Sequence, residues 1–469
     1  MAAGEPLKAI TVSASRADRR SEIIGRLERL PFTRAHAKFA AILSSGLFFD
    51  GFDNGALAVA MPVIFKEFHI GFLNTGIVLS SGFVGQFVGA WVFGFISEIY
   101  GRKAAFLGSM LLYGALSIAC AFAWDFHSLV VMRAMQGLGL GGVLAPAVAM
   151  FSELVRATRR GRFAGIYQTT FQWGVLLAPA IGLLSFQLFG ESAGWHALFI
   201  FGGIPALVAI YGFFALPESP RWLADHDNYA EADAVLRGIE QQAKGPLPPP
   251  ELAPVPEPKR TELAELFSRA YRRRTLVLWV GWACTYFVIY GLGTWLPSLY
   301  VRIGGLPVKD ALALSVFVSV VRLVTMYSES LVVDRVGRLP LFLTGFTTMA
   351  AANFAGALAF AWLDYTAWPM LLIVSTAINI GTSLTNILIV NYTAELYPTR
   401  LRSLGIAAGN SASRLASIIA PSAVGGLLAA HLGIESIFAM FGLVALVAAV
   451  AVPLWGIESR RRVLEEISP

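Results

Sequence analysis

Apolar stretches long enough to cross a lipid bilayer recur twelve times along this chain, and that recurrence decides its fold class. They lie at about residues 37–64, 75–97, 103–124, 128–155, 162–189, 196–216, 275–301, 308–332, 339–363, 366–395, 402–430 and 434–456. A helix crosses a hydrocarbon core of about 30 Å with roughly 20 apolar residues, so each stretch qualifies, the longest by tilting or projecting. Charged residues make up 14% of the chain and apolar ones 56%, with a mean hydropathy of +0.64. Ordinary soluble domains carry about 25% charged residues, so this surface belongs in lipid. The expected fold is an all-α membrane protein of twelve transmembrane helices in two pseudosymmetric six-helix bundles.

An even number of crossings leaves both termini on one side. Residues 1–36 are polar and Arg-rich, with no apolar core of a signal peptide. Thirty of the 36 Lys and Arg residues fall in the termini and the even-numbered loops, against three in the loops opposite. That asymmetry places both termini in the cytoplasm. The two cysteines, Cys120 and Cys284, lie in apolar stretches and imply neither a disulfide framework nor a zinc site.

The organisation read from this pattern is an N-terminal segment (1–36), a bundle (37–216), a cytoplasmic linker (217–274), a second bundle (275–456) and a tail (457–469). Within the linker, 229–242 and 261–274 read as amphipathic helices separated by the Pro-rich 245–258. The basic run 272–274 is expected to meet anionic headgroups. The halves repeat: GFISEIYGRK (94–103) matches SLVVDRVGRL (330–339), and SELVRATRRG (152–161) matches AELYPTRLRS (394–403), at offsets of 236 and 242 residues. Such repeats in a hydrophobic chain point to alternating access around a midplane site.

Ionisable groups inside the spans are the candidate site. FFDGFDN (48–54) sets Asp50 and Asp53 on one helical face, with Asn54 one turn beyond Asp50. A charge at membrane depth costs at least about 2.5–3.5 kcal/mol, so it faces a cavity or a partner. The other reading has one Asp capping a helix interrupted at Gly51. Arg133 falls at the depth of Asp53, and reads equally as its structural ion-pair partner. Arg322, twelve residues before Asp334, and Arg414, twelve after Arg402, each lie about 18 Å into their spans. Buried Arg keeps its charge, so each needs an acid, a ligand or water. Arg322 has Glu329 on its face about 10 Å nearer the cytoplasm. Arg414 has no acid at its depth in the second half, and its planar fork suits a substrate carboxylate.

Gln86, Gln168, Gln172, Asn379, Asn386 and Asn391 divide between interhelical hydrogen bonds and substrate contacts. Trp173, Trp282, Tyr286 and Tyr290 are candidates for an aromatic wall. GLGLGG (137–142) lies mid-span with no preceding strand, so it reads as close helix packing rather than a nucleotide loop. The histidines have no ligand spacing and no nucleophile–base pair appears, so neither a metal, a cofactor nor an enzymatic activity is expected.

GRK after span 2 and DRVGR after span 8 resemble the signature loop of the major facilitator superfamily, over nearly the whole chain. The resemblance implies a cytoplasmic gate of Gly94, Glu98, Gly101 and Arg102 in the first half, and Asp334, Gly337 and Arg338 in the second. Their cations are expected to pair with Glu153 and Glu395, with Arg402 beside them; the glycines would allow close helix approach. Glu98 stands where the family usually has Asp, and Ser330 where it has Gly. PESPRWL (217–223) and ELYPTRLR (395–402) are similar to sugar porters, but TYFVIYG (285–291) lacks the Gln-rich motif of that group. DGFD (50–53) resembles the DGxD element of aromatic-acid:proton symporters. YGLGTWLP (290–297) and NSASRLASIIAP (410–421) resemble nicotinate and organic-ion branches.

The resemblance implies a proton-coupled symporter importing a small organic anion of the aromatic or heteroaromatic monocarboxylate class, with H+ as coupling ion. Asp53 would carry the proton beside Arg133 and Asp50. Substrate would meet Arg414, Arg322, Asn54, Gln168, Gln172, Trp173, Tyr286, Tyr290 and Asn386. Its partners would be the solute, protons and the lipid bilayer, without nucleic acid, and the protein would be a monomer in a bacterial-type inner membrane. A proton-coupled sugar or polyol porter, an organic-cation carrier using the acidic pair, and a transport-dead membrane receptor are the alternatives.

Overall fold

The computed structural model describes residues 16–156, 160–243, 245–250, 263–362 and 368–459. Among them there is no strand. The first half comprises α2 (Arg34–Glu67), α3 (Phe72–Tyr100), α4 (Arg102–Cys120), α5 (Phe126–Gly141), α6 (Leu144–Leu154), α7 (Arg160–Phe201) and α8 (Ile204–Ala215), preceded by α1 (Arg16–Glu28). After α9 (Pro220–Asp225) and α10 (Tyr229–Glu240) come α11 (Arg272–Arg302), α12 (Val308–Val336), α13 (Arg338–Trp362), α14 (Trp368–Leu396), α15 (Thr399–Ala429) and α16 (Ile434–Trp455).

Eleven helical stretches among the described residues are long and apolar enough to cross a membrane. One of them, Tyr167–Ala215, folds back at Gly190, whose φ of 78° and ψ of 171° break the helix, so the crossings number twelve. Sequence reading puts a loop near 190–195. The chain instead turns on Gly190 alone, because only a residue without Cβ adopts that backbone freely. Span 4 is α5 and α6 together. The polar stretches between spans fall where expected, and the apolar outer faces explain the many exposed large hydrophobics, such as Trp91, Phe95 and Phe214.

The halves meet through α2 with α11, α3 with α15 and α7 with α12. At the end away from α1, Phe72 packs on Trp295 with ring centroids 6.4 Å apart, and Trp295 Nε1 donates to the Pro421 carbonyl at 3.0 Å. Arg302 lies over the Phe65 and Phe72 rings there. Ser422 Oγ donates to Ser80 Oγ at 2.8 Å.

The linker bears out one expectation and corrects another. Residues 229–242 do begin as a helix, α10, capped by the Asn228 side chain and burying Ala232, Leu236 and Ile239 on one face. The second amphipathic helix, 261–274, is not formed: Leu263–Phe267 is one 3-10 turn, and Arg272–Arg274 open α11. Of the Pro-rich segment, 245–250 is non-helical and 251–258 lies outside the described residues. Arg274 donates to the Leu396 carbonyl at 3.1 Å and Arg273 to that of Leu454 at 3.5 Å, so both serve the C-terminal carbonyls of neighbouring helices.

Sequence reading gives residues 1–36 only as a polar, Arg-rich segment; within it α1 forms and docks on the linker. Ile23 and Leu27 are buried. Arg26 donates to Glu240 at 3.1 and 2.7 Å and to Asp233 at 2.6 Å, and Arg29 donates to Glu240 at 2.6 Å. Hydrogen bonds from Arg26 hold both carboxyls below their ordinary range. Groups depressed in the folded state contribute fully above their unfolded values, near pH 4, and lose that contribution as pH falls through the folded ones. Docking of α1 is therefore expected to be unchanged from pH 8 to 6 and to loosen only in stronger acid, whereas Arg26→Ala loosens it throughout. Amide exchange of residues 23–28 measures both, and pH-sensitive docking around neutrality would contradict the clasp.

Candidate substrate cavity

The start of α5 is fixed by a reciprocal cap: Asp125 Oδ1 accepts from the Ser128 amide at 2.8 Å, and Ser128 Oγ accepts from the Asp125 amide at 3.1 Å. From that start, Arg133 and Gln136 project from one face toward α2. Arg133 Nη1 donates to Asp53 Oδ1 at 2.8 Å and to Gln136 Oε1 at 2.5 Å, and Gln136 Nε2 donates to Asp53 Oδ1 at 2.7 Å. All three side chains are buried. Asp53 Oδ2 has no protein partner among the described residues. Close packing of α3 on α5 sets this depth. A Cβ on Gly137 would lie 2.1 Å from the Gly82 carbonyl, which accounts for the glycine run as a packing surface.

Helix α2 runs unbroken from Arg34 to Glu67, so Gly51 does not interrupt it and neither Asp is a cap. The two carboxylates nevertheless part company. Successive helical positions differ by about 100°, so an offset of three residues leaves about 60° between side chains. That angle turns Asp53 into the Arg133–Gln136 pair and leaves Asp50 lining a central cavity. Asn54 folds back, its Nδ2 donating to the Asp50 carbonyl at 2.7 Å and to Oδ1 at 3.1 Å.

The cavity has a volume of about 790 Å³ and lies between the halves. Arg322, Arg414, Tyr286, Tyr290, Gln168, Gln172 and Asn386 all line it, as the sequence suggests. Asn54 and Trp173 do not. Asn54 is held by Asp50, and Trp173 is 43% exposed, its Nε1 donating to Tyr327 Oη at 3.4 Å at the seam between halves. Trp282 stays behind the wall, stacked on Tyr286 at 5.4 Å and donating to Thr393 Oγ1 at 3.0 Å. The aromatic series continues through Tyr290 to Phe83 of the other half, 4.6 Å between centroids.

Arg414 Nη1 donates to Gln86 Oε1 across the halves, and Arg414 shares the cavity lining with Asp50. The acid in the cavity lining, Asp50, is thus supplied by the first half. Arg322 Nε is buried without a protein partner among the described residues. Glu329, its candidate partner on α12, is buried, forms no ion pair with it there, and does not line the cavity. Asn391, Asn410, Ser413 and Tyr327 also line the cavity. Gln136 is the residue of the buried cluster that sequence reading misses, and its signal was present: it stands one turn from Arg133.

The expected pairs at the α1 end are formed, each inside one half. Arg102 Nε lies 3.4 Å from Glu153 Oε1 and Nη2 3.3 Å from Glu98. Arg338 donates to Glu395 at 3.2 and 2.9 Å. A second repeat emerges beside them. Glu218 accepts from the Arg102 and Lys103 amides at 3.1 Å, and Glu458 accepts from those of Arg338 and Leu339 at 3.1 and 2.9 Å. Each glutamate caps the helix that its loop opens. Burial pushes the Glu218 carboxyl up, while the Ser219, Lys103 and Arg102 amides pull it back.

Gly101 and Gly337 have φ of 99° and 106°, so the motif demands glycine for backbone conformation. Gly94 has open space around it, so close approach is not its role. Arg402 is half-buried with Nε unpartnered among the described residues. The Asp334 side chain lies outside the described residues.

Two six-helix halves of matching motif, closed on each other at one end around a polar cavity, define a transporter of the major facilitator fold. The chain belongs to the sugar (and other) transporter family, whose profile matches residues 39–469. It is 31% identical over 449 residues to the niacin transporter of Acinetobacter baylyi, covering 95% of this chain and 99% of the relative. With the gentisate transporter of Corynebacterium glutamicum it shares 28% identity over 423 residues, 88% and 86% of the two chains. The xylose transporter of E. coli, solved in an inward-open conformation, superposes with a TM-score of 0.71 at 17% identity, covering 91% of this chain and 98% of that one. That likeness is one of fold. The chain is a multi-pass membrane transporter and not an enzyme.

Proposed function

We propose that the protein is a proton-coupled symporter importing a small aromatic or heteroaromatic monocarboxylate, in a bacterial-type inner membrane with both termini cytoplasmic. The observation that carries this reading is the cavity itself: two guanidiniums, Arg322 and Arg414, beside Tyr286 and Tyr290, opposite Asp50. A carboxylate there gains charge-assisted hydrogen bonds in a low-dielectric site, and the rings cover an aromatic body. The niacin and gentisate transporters among the relatives support the same solute class. Asp53 carries the proton, exchanging it when its contact with Arg133 loosens, and Asp50 senses the substrate's charge through Arg414.

A transport assay in proteoliposomes with an imposed pH gradient tests the reading, run with nicotinate, a benzoate, a sugar and an amine. Gradient-driven accumulation of the acids is the expected result. Accumulation of the sugar or the amine alone would replace it with one of the other transport classes, and binding without accumulation would favour a receptor.

In this reading the cavity faces the cytoplasm, and the capped loops of the two halves close on each other in the alternate state. Arg338→Ala leaves Glu395 without its cation and loosens one of those loops. The population is expected to shift toward the cytoplasm-open form. A cysteine at Asn391, inside the cavity, reads this as faster modification from the cytoplasmic side; an unchanged rate would remove Arg338 from gating.

A further inference from the structure

Three cations at the α1 end have no carboxylate partner among the described residues: Arg34 and Lys38 on the first turns of α2, and Lys103 on the first turn of α4. They converge on a groove of about 480 Å³ bounded by α2, α4, the end of α8 and α10. Phe39, Phe214, Leu216, Val235 and Ile239 supply its apolar walls, and no residue lining it is acidic. Lys38 Nζ lies 5.4 Å from the Tyr211 ring centroid and Lys103 Nζ 5.2 Å from that of Phe213, so both ammonium groups border the outer face of α8. That face is directed away from the bundle: Leu207 is 66% exposed and Phe214 83%. The neighbouring Glu218 is engaged by backbone amides.

The arrangement has the chemistry of an amphiphile with an anionic head. Cations gather at one level, and an uncovered apolar face runs from them into the membrane. Arg273 and Arg274 each donate to a helix-end carbonyl. We propose that this groove binds an anionic phospholipid of the adjoining leaflet, its phosphate held by Arg34, Lys38 and Lys103 and its acyl chain lying along the exposed face of α8. A free phosphate would use the cations but leave the apolar walls and α8 uncovered, which is why the lipid is the occupant. The bound lipid would tie α2, α4 and α8 of the first half to α10 of the linker.

The test uses the full chain in nanodiscs with phosphatidylglycerol bearing a photoactivatable acyl chain. Labelling of α8 by that lipid, and weak labelling by the phosphatidylcholine analogue, is the expected result in the native protein. Retention of phosphatidylglycerol in native mass spectra is expected to fall about fivefold for each cation removed in the series Arg34→Gln, Lys38→Gln, Lys103→Gln. Arg272→Gln should leave retention unchanged. Labelling confined to other helices, equal labelling by both lipids, or undiminished retention in the triple variant would each overturn the proposal. Displacement of the lipid by inorganic phosphate alone would do the same, making the groove a soluble-anion site. Because the labelling is read on the native protein, a variant that fails to fold does not spare the proposal.

Discussion

Arg133→Ala is expected to cost the first half about 3–5 kcal/mol, because it strands the Asp53 carboxylate inside the bundle with only Gln136 to hold it. The double variant Asp53→Asn with Arg133→Gln is expected to recover much of that loss. Taking away both charges removes the uncompensated one, and amides can still hydrogen-bond across the same gap. Asp53→Asn alone separates stability from function. It cannot carry a proton, so gradient-driven accumulation should vanish while counterflow, which needs only substrate exchange, persists. Thermal unfolding of the purified variants reads the first effect, and uptake under an imposed pH gradient reads the second. An Arg133→Ala protein that melts like the native one would show that the pair contributes nothing to holding α2 on α5. Full accumulation by Asp53→Asn would take proton carriage away from this residue.

The membrane-spanning architecture was legible because lipid imposes it. A crossing needs about 20 apolar residues, and such stretches announce themselves without knowledge of their neighbours. The paired loops were legible for a related reason: their Gly, Arg and Glu repeat at fixed positions in each half. What escaped depends on partners distant in sequence. Helix α1 is polar on most of its surface, and its reason to fold is the acid pair Asp233 and Glu240, more than 200 residues away. The segment 261–274 has a plausible amphipathic pattern, yet Arg272–Arg274 extend the stronger apolar helix behind them. Propensity lost to tertiary context.

The site shows the same division. Sequence spacing brought Asp53 and Arg133 to one depth, and placed Arg322 and Arg414 deep in the second half. It could not show that Asp50 would line the central cavity apart from the Asp53–Arg133 pair, nor that Gln86 would reach Arg414 across the halves. Those facts follow from how α2 and α3 sit against helices of other segments. Trp173 stands outside the cavity lining for this reason as well: position on a span does not say which neighbour a face meets.

Substrate charge rests on Arg414, where a change of cation has the largest expected effect on binding. Arg414→Lys keeps the positive charge near Asp50 but exchanges a planar fork with five donors for a compact ammonium group. A bidentate contact to carboxylate is lost, and the reach to Gln86 changes with it. Affinity for an aromatic monocarboxylate is expected to fall by about tenfold or more, the equivalent of about 1.4 kcal/mol or more, while that of the matching uncharged amide falls little. The amide makes no charge-assisted fork with the arginine, so its binding rests on the rings of Tyr286 and Tyr290 and on the cavity amides. Titrating both ligands into both proteins at one pH gives the four affinities. Equal losses for acid and amide would make Arg414 a structural cation whose work is to bridge the halves through Gln86. In that event Arg322, whose Nε has no protein partner among the described residues, becomes the guanidinium to test next by the same comparison.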